Sequence, residues 1–246
     1  MAANSSNPFL NQKFWEFSHN QQTMSYEGCV SKTISLFGVM LLAAAIAAVT
    51  AADNPALMSL YWFGGMIGAI TISLFLWFAK PENPQLLIIP HAFFEGLFVG
   101  GVSMFFESVY GDGIVINAGM ITIGIVGSMF AFFKFSGFRA SRGFNMVLGS
   151  AVMAIFFVYI ANIVLSFGFG MSVPFLHLSG PIGILVSLII IGVASLTLIS
   201  DFTFIEKGVQ AGYPEKYEWY GAHGLLVSVV WIYFEVLRLL AKLNQR

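Results

Sequence analysis

The chain has 246 residues, 58% of them hydrophobic and only 9% charged, with a formal net charge of -1. Soluble domains carry about a quarter charged residues, so this composition, with a mean hydropathy of +0.83, excludes an ordinary soluble domain. The balanced charge offers no basic field for nucleic acid, and the single cysteine, Cys29, excludes an internal disulfide.

Residues 1–28 are polar and aromatic. They lack the basic start, apolar run and small-residue cleavage site of a signal peptide. They are expected to stay as an N-terminal tail ahead of a membrane domain covering 29–246. Phe14, Trp15 and Phe17 are expected to lie on the membrane surface or to dock a partner.

A bilayer core about 30 Å thick takes roughly 20 apolar residues of helix. Seven stretches qualify: about 30–51, 57–79, 85–109, 114–135, 145–168, 180–205 and 222–243. The breaks between them carry turn residues, as in "DNP" at 53–55, "KPENP" at 80–84 and "GDG" at 111–113. Gly, Ala and Ser recur inside the spans, as close helix packing in lipid favours. Alternating segments of about ten residues, the mark of a membrane β-barrel, do not occur. The fold class is therefore all-α, a polytopic membrane protein with a seven-transmembrane-helix bundle.

Orientation follows from the basic residues. With the N-terminus inside, Lys13, Lys32, Lys80, Lys134, Arg139, Arg142, Lys207 and Lys216 all fall inside. The outside loops hold only the acids Asp53, Asp112 and Glu107. The positive-inside rule thus predicts a cytoplasmic N-terminus. Arg238, Lys242 and Arg246 run against it, because a seventh full span places them outside. The apolar run is long enough to cross, and a full span is expected.

Three acids fall within the spans: Glu95, Asp201 and Glu235. A charge at the centre of a membrane helix costs about 2.5–3.5 kcal/mol on insertion scales, so such groups face a partner or water and frequently carry function. Asp201 lies near the inner end of span 6, where it reads equally as an interfacial acid. Glu235 lies roughly 20 Å along span 7, with Arg238 three residues on as a local counter-charge. Spans 6 and 7 are consecutive and antiparallel, hence expected neighbours. Two carboxyl groups meeting in a poorly hydrated site share a proton and titrate as a unit. Ionised, they offer a hard cation such as calcium its oxygen ligands. The two meet only if span 7 is already helical through 217–221, below residue 222.

His91 and Glu95 are four residues apart on span 3 and share a face. They read as a cation or proton path, or as a hydrogen-bonded pair that fixes packing. Pro90 precedes them, and Gly96, Gly100 and Gly101 allow a helix or an ion to approach the backbone. The four histidines, His19, His91, His177 and His223, are scattered. No phosphate loop, zinc-protease or nucleophile-elbow motif is present, so an enzyme is not expected.

"IYFEVLRLL" at 232–240, "SDFTFIEKG" at 200–208 and the Gly-rich "FFEGLFVGG" at 93–101 together resemble the transmembrane Bax inhibitor motif family, in a bacterial form. The resemblance implies six helices surrounding the last one. It implies a pH-sensitive calcium leak channel of the inner membrane, without a cofactor. Asp201 and Glu235 would form the proton sensor and gate, with calcium as the permeant ion. Arg238 would stand in for a latch arginine that the family carries on its second helix, where this chain has no basic residue. Some bacterial relatives restrain a membrane-bound quality-control protease, the alternative function implied here, with the aromatic tail as its contact.

Overall fold

The computed structural model describes residues 22–111, 113–170 and 179–245. Seven helices follow one another: α1 (Tyr26–Asp53), α2 (Ala56–Ala79), α3 (Gln85–Tyr110), α4 (Ile114–Ser136), α5 (Arg142–Phe169), α6 (Pro181–Gln210) and α7 (Lys216–Asn244). All seven are long and apolar enough to cross a membrane, giving the expected all-α seven-helix bundle. Among the described residues there is no strand, only an isolated bridge between Thr23 and Pro214. The tail residues Phe14, Trp15 and Phe17 lie outside the described residues.

Local chemistry sets the helix ends. The Ser25 and Ser141 hydroxyls accept from the backbone N–H of Gly28 and Phe144, capping α1 and α5. Gly137 (φ 69°) and Gly170 (φ 64°) end α4 and α5 in the left-handed conformation that glycine adopts without strain. The Glu107 carboxylate accepts from the N–H groups of Gly113 and Val115, satisfying the start of α4.

α7 packs against α1, α3, α4 and α6 and is the central helix, while α5 lies outermost against α6. Two apolar clusters surround α7. One gathers Leu36, Met40, Ile88 and Ala92 around Ala222, Leu226 and Val230. The other gathers Val102, Ala118, Ala194 and Leu198 around Ile232, Val236 and Leu237. Large apolar side chains such as Phe78 and Phe135 cover the exterior, as a lipid solvent requires.

The glycines of α3 serve helix packing. Gly96 and Gly100 press on the carbonyl oxygens of Met40 and Ala44 in α1, and Gly101 on the backbone of Trp62 in α2. A Cβ at Gly100 would stand 2.6 Å from the Ala44 oxygen, so any larger residue there separates the helices.

α6 and α7 run past their expected ends because charged side chains find partners there. Glu206 of α6 holds Arg139, and Glu218 of α7 holds Lys32 and the Ser25 hydroxyl. The same end is stitched to the chain ahead of α1. Met24 N–H donates to the Tyr213 carbonyl at 2.6 Å, and Glu215 N–H donates to the Gln22 carbonyl at 2.9 Å. α7 is one uninterrupted helix of 29 residues, about 43 Å long at 1.5 Å per residue. Its late charges have partners of their own. Lys242 donates to the Gly183 carbonyl at 2.9 Å and lies 2.8 Å from the Ser187 hydroxyl.

Candidate functional site

The intramembrane acids fall in three separate places. Asp201 faces α7, and its Oδ2 accepts from the Ser228 hydroxyl at 2.6 Å. The Thr197 hydroxyl lies 3.1 Å from that of Ser228, extending the polar strip along α6. Gly224 lies beside the carboxylate, where an added Cβ would make an ordinary 3.5 Å contact with Asp201 Oδ1. Among the described residues no basic side chain pairs with Asp201. It is a half-buried acid with one hydroxyl as its hydrogen-bond partner.

Glu235 is elsewhere. α7 is helical through 217–221, as the expected pairing required, but the register brings Ser228 and not Glu235 to Asp201. Seven residues separate Ser228 from Glu235, two helical turns or about 10 Å along the same face. Asp201 and Glu235, expected as a shared-proton pair and a two-acid calcium site, thus each bond to other residues in this structure.

Glu235 has its own network and is only 1% exposed. Its Oε1 accepts from the Tyr159 hydroxyl at 2.6 Å, from Arg238 at 3.1 Å and from Trp231 Nε1 at 3.3 Å. The Arg238 guanidinium also donates to the Tyr159 hydroxyl and lies 4.8 Å from that ring's centroid. Arg238 is thus the partner of Glu235 on its own helix, not a latch on Asp201. The network sits beside a cavity of about 550 Å³ lined by Trp62, Phe105, Tyr110 and Lys242, among others.

The third place joins α2, α3 and α7. His91 Nε2 lies 2.8 Å from the Ser73 hydroxyl, and His91 Nδ1 lies 3.5 Å from Glu95 Oε2. The His223 ring, from α7, stands 4.4 Å from that of His91, centroid to centroid. The histidines look scattered along the chain, yet two of them meet here. Sequence reasoning missed both His223 and Ser228, each a lone polar residue with no motif around it. Among the described residues no three His, Cys, Asp or Glu side chains are arranged to hold a metal ion.

No curated protein matches the chain significantly. Residues 7–245, nearly its whole length, match the family model described as Bax inhibitor 1 like.

Proposed function

The chain belongs to the Bax inhibitor 1 like family, and from that membership we propose that it is a pH-sensitive calcium leak channel of an inner membrane in which Asp201 alone holds the gating proton. The supporting observation is the Asp201–Ser228 contact, where a half-buried carboxyl on α6 meets α7 through a neutral hydroxyl and, among the described residues, has no counter-charge. Protonated, Asp201 is neutral and ties α6 to α7. Ionised, it keeps the Ser228 bond but has no counter-charge in the seam, and it draws a hard cation toward an oxygen-rich strip that includes the Ser228 and Thr197 hydroxyls.

Glu235 plays a different part in this reading. Its charge is already matched by Arg238 and held by two further donors, so it fastens the far half of α7 rather than sensing protons. The end of the bundle bearing Lys80, Arg139, Lys207 and Lys216 faces the cytoplasm, with the N-terminus on that side. The chain acts as a conduit and not as an enzyme.

The experiment is calcium flux into proteoliposomes across the acid-to-neutral range. Asp201→Asn is expected to abolish the pH response, and Glu235→Gln to keep it. An Asp201→Asn protein that still responds to pH like the wild type would overturn the assignment. Absence of calcium flux from the wild type at every pH would remove the leak reading itself.

A further inference from the structure

Among the described residues, three buried polar atoms in the half of the bundle nearest the N-terminus lack a hydrogen-bond partner: His91 Nδ1, Glu95 Oε2 and His223 Nε2. They belong to one cluster. His91 and Glu95 are 2% and 6% exposed and lie one turn apart on α3. Ser73 of α2 and His223 of α7 close on the His91 ring from two other helices. Buried polar groups in native proteins are nearly always paired, so three exceptions in one place ask for a ligand.

The cluster has an entrance. Ser73 and His223 also line a cavity of about 400 Å³, together with Lys80, Lys216, Tyr217 and Tyr220. Two lysines at this entrance repel a metal cation, although Lys216 is partly neutralised by Glu82 at 2.8 Å. A proton needs no ion to pass, because hydroxyl and imidazole groups hand it on through hydrogen bonds. Inside, one carboxylate and two imidazoles in a low-dielectric site carry least charge when they hold a single proton between them.

We propose that His91, Glu95 and His223 are one proton-binding site that joins α3 to α7 and is loaded from the Ser73–His223 cavity. A proton reaching His91 gives the imidazolium, with both ring nitrogens protonated. The Nδ1–H bond then breaks as an O–H bond forms at Glu95 Oε2, and the ring returns to neutral. The other titratable groups near the site, among the described residues, are Lys80, Lys216 and Tyr217 at the cavity, with Glu82 paired to Lys216. α1 offers Met40 and Ala43 opposite Gly96, and α2 offers Ser73. From α6, Phe204 lines the cavity, and Asp201 approaches Gly224, next to His223 in the chain, but bonds Ser228. α7 adds Tyr220, beside the cavity mouth. The site stands whether or not the chain conducts calcium.

Infrared difference spectra of the full chain in nanodiscs, recorded over a pH titration, test this directly. A protonated-carboxyl band is expected that Glu95→Gln removes and Asp201→Asn leaves in place. His223→Gln is expected to shift the midpoint of that band by about a tenfold change in proton affinity. Ser73→Ala, which removes a single hydroxyl, is expected to shift it in a protein that keeps its helical circular dichroism. A band that survives Glu95→Gln overturns the proposal, as does a midpoint indifferent to both His223→Gln and Ser73→Ala. Stoichiometric binding of Zn²⁺ alone, lost in His223→Gln, would also overturn it, in favour of a metal site.

Discussion

α7 meets two acids in two ways. Near its middle, Ser228 offers Asp201 a single neutral hydroxyl. Two turns later the same face carries Glu235, which is gripped by a guanidinium, a phenol and an indole. Burial alone does not decide what a carboxyl group does. A buried acid with a permanent counter-charge and two further donors is a structural fastener. A half-buried acid with one hydroxyl and no counter-charge keeps its proton equilibrium as a variable.

The largest test of this contrast is to strip the fastener. Arg238→Met leaves Glu235 with only its phenol and indole donors and is expected to cost about 2–4 kcal/mol, less than for a fully buried pair because the Arg238 side chain is about a third exposed, read as a lowered thermal midpoint in detergent. Glu235→Gln in the same protein is expected to recover most of that loss. If the single variant melts like the wild type, Glu235 is not held as an ion pair and the contrast collapses.

Overpacking the α1–α3 seam comes next. Gly96→Leu drives a side chain into the Met40 carbonyl and is expected to cost about 1–3 kcal/mol. The pH response of any flux should survive it, because Asp201 lies on another seam. Smaller again is Ser228→Ala, which removes one hydrogen bond, about 1 kcal/mol, and displaces the pH midpoint of flux. Ser228→Asp should do more to the profile than to the stability. It builds at Asp201 the acid pair that the native chain lacks, and it should broaden the titration into two steps. The smallest effect belongs to Glu82→Ala, whose exposed side chain pairs with Lys216. A melt within error of the wild type is expected at high salt, where surface pairs are screened.

Hydropathy made the seven spans legible, because lipid demands long apolar helices and little else imitates them. The importance of Glu235 was legible too, since an acid deep in "LLVSVVWIYFEVLRLLAKL" must find a partner. Its pairing with Arg238 follows from the i, i+3 spacing on one helix. Which residue would face Asp201 was not legible. Ser228 and Glu235 share a face of α7, and periodicity identifies the face but not how far α7 slides along α6. That register depends on where α7 begins, and it begins at Lys216 because Glu218 finds Lys32 and Ser25 from a distant part of the chain. His223 stayed hidden for the same reason. It is 132 positions from His91, and only the packing of α7 against α3 brings the rings together.

Lys242 carries its positive charge close to the C-terminus, held by Gly183 and Ser187 from the opening turns of α6. An ammonium group translocating alone would have to shed its water with nothing to replace it. The closing hairpin is therefore expected to enter the bilayer as a pair, with α6 arriving first as the escort for the charge that follows. Glycosylation acceptors placed after residue 246 would report this during synthesis. Modification of the wild-type chain, reduced when Ser187→Leu spoils the escort, is the expected pattern; equal modification of both would mean that α7 crosses unaided.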